Sequence, residues 1–158
     1  EQVEKGEADA VVIAGMGGKL IMQILEASMD KVCALQELIL QPQSELEFVR
    51  AFLREKNLHI LQENMVEEDG KYYQILKVSP LTAVHNQTLP LSRETQDLFG
   101  PCLLLDKNPE LVRFLRYREQ ITLKILSQMQ AEGAGEKDRD RMQQLLSCIR
   151  EALEYVEA

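Results

Sequence analysis

The period of the hydrophobic residues changes several times along the chain, and each change marks an element. Ala10-Val11-Val12-Ile13-Ala14 is a continuous, β-branched run, the pattern of a strand buried on both faces, as in a parallel sheet. Gly15-Met16-Gly17-Gly18 breaks it, and Leu20, Ile21, Ile24 and Leu25 follow at helical spacing. Leu38-Ile39-Leu40 repeats the strand signal and Gln41-Pro42 ends it. Ser44, with Glu47 three residues on, then predicts a capping box ahead of Leu46, Phe48, Val49, Phe52 and Leu53. After Asn57, Leu58 to Val66 and Tyr72 to Val78 flank Asp69-Gly70, which predicts an antiparallel hairpin. Residues 1–80 therefore read β-α-β-α-β-β, an α/β arrangement whose two parallel strands are too few for an independent sheet. The expectation is a sheet that begins upstream of Glu1.

Residues 79–101 carry Pro80, Pro90 and Pro101 with a polar stretch between, and predict a linker or ordered loop. Beyond them the period becomes 3.6. Asn108-Pro109-Glu110 supplies an N-cap, a first-turn proline and an acid, opening a helix whose stripe is Leu111, Phe114, Leu115, Ile121, Ile125 and Met129. Gly133-Ala134-Gly135 stops it, and Met142, Leu145, Leu146, Ile149, Leu153 and Val156 mark a second helix. Two amphipathic helices joined by a glycine turn predict an antiparallel helical pair. The division expected is 1–80 for a partial sheet domain, 81–107 for a linker or loop, and 108–158 for the helical hairpin.

Composition narrows the class. With 45% hydrophobic and 28% charged residues the chain is expected to fold rather than stay disordered. No apolar run approaches the ~20 residues of a membrane span, and no basic-then-apolar leader opens the sequence, so a soluble cytoplasmic protein without membrane contact is expected. Cys33, Cys102 and Cys148 are dispersed and odd in number, and His59 and His85 stand alone. Neither a disulfide framework nor a metal site is expected. The net charge of −8 is unevenly placed: residues 1–80 hold 14 acids against 8 bases, whereas 106–125 hold 3 acids against 5 bases. A local basic face can meet RNA even on an acidic chain, and a solvated helix face accounts for the same charges.

Candidate chemistry gathers at turns. Gly15, Gly17 and Gly18 follow a buried strand and open a helix, where backbone approaches a ligand closely and helix N-terminal amides are free. The spacing is not the G-x-G-x-x-G of a dinucleotide turn, and tight structural packing explains the glycines as well. Gln41-Pro42-Gln43 ends the neighbouring strand on the same carboxyl edge, so both corners should line one crevice. Lys71 and Tyr72 follow the hairpin turn, where a tyrosine can stack on a base and a lysine can meet a phosphate; a sheet-face tyrosine fits the same position. Glu67, Glu68 and Asp69 read as solvated turn acids.

Taken together, Lys5-Gly6-Glu7-Ala8-Asp9-Ala10, Ile13-Ala14-Gly15-Met16-Gly17-Gly18, Leu38-Ile39-Leu40-Gln41-Pro42, Glu67 to Lys71, Tyr73, and Gly100-Pro101 ahead of two long helices resemble the bacterial tRNA (adenine-22-N1)-methyltransferases, the TrmK family. The resemblance implies the C-terminal half of a Rossmann-like, S-adenosylmethionine-dependent methyltransferase sheet ending in an antiparallel β-hairpin, followed by that family's antiparallel two-helix coiled coil. It implies methyl transfer to N1 of adenine 22 in tRNA. Gly15, Met16, Gly17, Gly18, Gln41, Pro42, Gln43 and Tyr72 would then surround the cofactor S-adenosyl-L-methionine and the adenine, while Lys71, Arg113, Arg116, Arg118 and Lys124 would contact RNA. No proton-transfer residue is assigned. The chain departs from the family at Gln43, where asparagine is usual. The family's acidic, glycine-bearing cofactor motif would belong upstream of Glu1, so the chain alone is expected to be inactive. The alternative is an interaction or RNA-binding module working through the coiled coil, with homo-oligomers forming through the exposed sheet edge.

Overall fold

The computed structural model describes residues 4–81, 88–132 and 135–158. Its elements are β1 (Ala10–Met16), α1 (Gly18–Ala27), α2 (Met29–Val32), β2 (Glu37–Pro42), α3 (Leu46–Glu55), β3 (His59–Glu68), β4 (Lys71–Ser79), α4 (Arg93–Phe99), α5 (Pro101–Leu105), α6 (Pro109–Glu132) and α7 (Glu136–Glu157). His85, Gly133 and Ala134 lie outside the described residues.

The four strands form one mixed sheet in the order β1-β2-β4-β3. β1 and β2 run parallel, Val12 beside Ile39 and Ala14 beside Gln41, a pairing that requires a crossover such as α1 supplies. β3 and β4 pair antiparallel from His59 and Ser79 to Glu68 and Lys71. The turn between them is Asp69-Gly70, with φ of 51° and 76°; positive φ at both positions is what a two-residue type I′ hairpin requires. β4 then lies between β3 and β2, with Leu40 opposite Leu76.

Residues paired across a ladder share a face, so register decides which side chains look the same way. Leu38, Leu40, Leu76 and Val78 close against α1 and α3 around Ile21, Leu25, Val49 and Leu53, all buried. Each such side chain contributes about 1.5–3 kcal/mol when removed from water. Farther along the same face, Met65 joins Phe99, Leu103, Leu104, Leu111, Leu115 and Ile149 in a second core built with α4 to α7. Among the described residues no helix covers the other face, where Val12 is 68% exposed and Val66 44%. The first strand is therefore not buried on both faces as its composition suggested: Val11 and Ile13 pack inward and Val12 looks out. Its outer edge carries no partner strand among the described residues.

A buried polar seam joins the two cores. Arg50, 1% exposed, donates to Glu63 at 2.8 Å, to the carbonyl of Asp97 at 2.8 Å and to the Gln74 side chain. The second oxygen of Glu63 accepts from the Cys102 amide at 2.8 Å. α4 passes into α5 at Gly100, directly over this pair. Its φ is 93°, and a Cβ there would lie 2.7 Å from one Glu63 oxygen and 2.8 Å from Arg50, so only glycine satisfies both the angle and the space.

The stretch expected as a linker or ordered loop over 81–107 holds α4 and α5, with Thr95, Phe99, Leu103 and Leu104 buried. Pro101, which reads as a loop signal, instead starts α5 in the position where a missing N–H costs nothing. Ser92 caps α4 by accepting from the Thr95 amide, and Glu151 of α7 accepts from both the amide and the hydroxyl of Ser92 at 2.7 and 2.6 Å. Arg116 of α6 meets Glu157 of α7, and Glu119 meets Arg150, so the start of α6 lies beside the end of α7 and the pair is antiparallel.

Candidate functional site

Parallel pairing brings the ends of β1 and β2 to the same edge of the sheet, and the two corners beyond them are knitted together. The register shifts at Gly15, between Ala14 opposite Gln41 and Met16 opposite Pro42. Gly15 takes φ +74° there, and its amide donates to the Gln41 side-chain oxygen at 2.8 Å. The Gln43 amide donates to the carbonyl of Met16 at 2.9 Å, and the Gly18 amide to the carbonyl of Ser44 at 3.1 Å. Lys19 donates its amide to the Glu45 carboxylate at 2.9 Å.

These bonds revise two expectations. The first amides of α1 are not free for a ligand: Ser44 and Glu45 occupy them. The corner is thus a surface of close backbone approach and not an anion cradle. Nor do Ser44 and Glu47 form a capping box, since α3 begins after Glu45 in the left-handed region (φ 59°) with no side-chain cap. Ser44 is spent on the neighbouring corner instead. A Cβ on Gly18 would lie 2.5 Å from the Ser44 carbonyl oxygen and 2.9 Å from Val49; on Gly17 it would meet Ser44 Oγ at 3.2 Å; on Gly15 it would meet nothing within 4 Å. Gly18 is therefore demanded by packing, and Gly15 by its backbone angle.

Gly15, Met16, Gln41 and Gln43 are open to solvent at least in part, whereas Pro42 and Gly18 are buried. Gln41 spends its oxygen on Gly15, leaving its Nε2 as the donor for a ligand. Tyr72 is not brought to these corners. Its ring meets Phe114 edge-on at 5.0 Å and packs against the second core, the sheet-face role that stood beside the stacking one. Lys71 is exposed at the hairpin turn.

The bases of α6 have unequal surroundings. Arg113 pairs with Glu110 and Arg116 with Glu157, each at 2.8 Å. Arg118 lies over the Phe114 ring at 5.7 Å, and Lys124 is exposed. Burial pushes the Cys102 thiol up to about 12, helped by Glu63 and Asp106, and burial likewise raises Cys148, so neither is a thiolate nucleophile at neutral pH. Among the described residues no group of three or more His, Cys, Asp or Glu is placed to hold a metal, and no helix is long and apolar enough to cross a membrane.

Sequence reasoning missed Glu45 and the Arg50–Glu63 pair. Arg50 sits beside Val49 on the inward stripe of α3, and Glu63 shares its strand phase with Met65; a charge in an inward phase was the available signal.

Residues 1–155 match the family model described as tRNA (adenine(22)-N(1))-methyltransferase, TrmK. The tRNA (adenine(22)-N(1))-methyltransferase of Bacillus subtilis is 32% identical over 160 residues, covering 98% of this chain and 66% of that protein. The crystal structure of the B. subtilis M1A22 tRNA methyltransferase TrmK superposes with a TM-score of 0.80 at 31% identity, over 96% of this chain and 65% of that one. A Streptococcus pneumoniae Sp1610 structure in complex with S-adenosyl-L-methionine gives 0.73 at 29% identity, over 92% and 60%. The chain thus spans just under two thirds of the length of these relatives. The fold is the α/β, Rossmann-like methyltransferase fold, with a mixed four-stranded sheet and several helices.

Proposed function

Because the chain belongs to the TrmK family of tRNA (adenine(22)-N(1))-methyltransferases, we propose that it forms the substrate-facing part of an enzyme that methylates N1 of adenine 22 in tRNA, with S-adenosyl-L-methionine as donor. The observation that carries this reading is the junction of the two corners, where parallel strands end together and Gly15 is bonded to Gln41. When bound, the cofactor supplies an electrophilic methyl group. The exposed backbone at Gly15, with open space where a Cβ would stand, lets it approach closely. Adenine N1 already carries a lone pair at neutral pH, so alignment does most of the work and no general base is needed. Gln41 Nε2 and the Gln43 side chain are placed to bond the base at atoms other than N1, and Met16 forms part of its apolar surroundings. The target must leave its stack to present N1, which lies on the pairing edge.

In this reading α6 and α7 act as a two-helix coiled coil that grips the tRNA backbone through Arg113, Arg116, Arg118 and Lys124, Lys71 at the hairpin turn adds a further contact, and the protein works in the bacterial cytoplasm. The residues divide into a sheet part (1–80), a connecting part (81–107) and a helical part (108–158). The second reading, an interaction module, draws support from the uncovered sheet face bearing Val12 and from the free edge of β1, through which a second copy can add. Calorimetric titration with S-adenosyl-L-methionine, followed, in the intact enzyme, by methyl transfer to tRNA with adenosine or guanosine at position 22, separates them. Transfer to the adenosine form alone is expected. In the intact enzyme, Gly17→Asp should abolish transfer while the circular dichroism spectrum stays unchanged; normal turnover by this variant would remove the glycine corner from the site.

A further inference from the structure

A cleft of about 920 Å³ lies between α3 and α4 on one side and α6 and the first half of α7 on the other, and the corners described above do not account for it. Phe48, Leu98, Arg118, Met129, Arg141 and Met142 are among the residues that line it. The volume falls within the ~300–1,000 Å³ range of sites that hold small organic ligands.

Two of these residues are placed in ways that packing does not explain. Phe48 is 59% exposed, in the first turn of a helix whose other large apolar residues are buried or half-buried. An aromatic ring left in water forgoes a large apolar contribution. The Arg118 guanidinium carbon lies 5.7 Å from the centre of the Phe114 ring, within cation–π range, and Phe114 meets Tyr72 edge-on. Unlike Arg113 and Arg116, it makes no ion pair among the described residues. Its N–H groups are therefore not consumed by a carboxylate there.

The start of α3 links the rim of the cleft to the glycine corner. The Phe48 amide donates to the carbonyl of Glu45 at 3.1 Å, and the carboxylate of Glu45 holds the Lys19 amide at the start of α1. Acids also line the cleft, but two are already engaged: Asp97 accepts two bonds from Arg54, and Glu94 accepts from Gln144. Glu47 and Asp138 remain beside Arg93, Arg118 and Arg141.

We propose that this cleft is a subsite for an unpaired RNA nucleotide next to the one being modified, with Phe48 stacking on its base and Arg118 holding its phosphate. The proposal rests on the methyltransferase reading for the identity of the RNA, and deepens it by naming where the chain receives a neighbouring nucleotide. A base drawn out of a helix leaves its neighbours unstacked, and an aromatic face beside a cation is the surface that receives them.

The test reads binding and not methyl transfer, so that it succeeds or fails independently of activity. An unpaired ten-nucleotide RNA carrying 2-aminopurine next to an adenosine is titrated into the 158-residue chain, following fluorescence and salt dependence. Quenching on binding is expected. Phe48→Leu should lose the quenching and weaken binding by about tenfold, as loss of one stacked base does, while Phe48→Tyr keeps both. Arg118→Ala should lower the slope of log K against log salt by roughly 0.7, the value for one single-strand phosphate contact. Wild-type-like quenching by a folded Phe48→Leu variant overturns the proposal, as does absence of RNA binding by the unsubstituted chain. A dimer seen by sedimentation that Phe48→Glu dissolves, without quenching, assigns the cleft to a second copy and overturns it as well.

Discussion

The glycine corner and the buried seam are both hydrogen-bonded junctions between distant parts of the chain, yet they are made of different material. The corner joins backbone to backbone, with Gln41 and Glu45 lending one acceptor each, and it stays partly open to solvent. The seam joins ionised side chains with less than 2% of their surface exposed. Backbone junctions hold their shape whatever occupies the outside, which suits a wall that a ligand must approach. Buried charges hold only their own partners, which suits a joint that must form in one way.

The comparison breaks most severely at the seam. Arg50→Met should lower unfolding free energy by about 3–5 kcal/mol, because it strands the Glu63 carboxylate; urea denaturation measures this, and a loss below about 1 kcal/mol would show that the pair does not join the halves. Adding Glu63→Leu should restore part of the loss, since residues in one network couple. Next comes the corner. Gly18→Ala forces a Cβ against Ser44 and Val49, and should cost about 1–3 kcal/mol as overpacking. Gly15→Ala meets open space and should cost only the ~1–2 kcal/mol of a left-handed residue. Equal losses at the two glycines would refute the distinction between packing and backbone angle.

A smaller effect appears in acid. Burial pushes the Glu151 carboxyl up, but bonds from the Ser92 and Thr95 side chains and the Ser92 amide outweigh it and hold the group below its ordinary 4.5. The folded state therefore resists protonation more than the unfolded chain does. This stability is fully present above 4.5 and drains away as pH falls through the depressed folded value. Thermal melting across that range should show a shallower decline for Glu151→Gln than for the unsubstituted protein. Smallest of all, Arg116→Ala removes an exposed pair with Glu157 and should cost about 0–1 kcal/mol, vanishing in high salt.

The alternation of strand and helix over residues 10–55 was legible because each period is set locally by which face is apolar. Asp69-Gly70 was legible for a similar reason, since few residue pairs accept positive φ twice in succession. The placement of β4 between β2 and β3 was not, because period gives the phase of a strand but not its neighbour. Ser44 misled in an instructive way: a capping residue adjacent to a glycine corner has two sets of orphan amides within reach, and the nearer helix lost. Tyr72 was legible as amphipathic, but its partner Phe114 lies 42 positions away, beyond any local pattern. At the site, the meeting of the two corners could be inferred from their common edge, whereas the loss of free amides at α1 could not.

The order β1-β2-β4-β3 also dictates a schedule. The strand that flanks β2 is the last of the four to emerge during synthesis, so the parallel pair must wait with its inner flank bare until the ribbon of β3 and β4 has zipped and swung back onto it. Local closure outpaces distant closure. Pulse-labelled hydrogen exchange should therefore find the ribbon amides shielded ahead of those between β1 and β2, and the wall of the pocket should be the last part of the sheet to set.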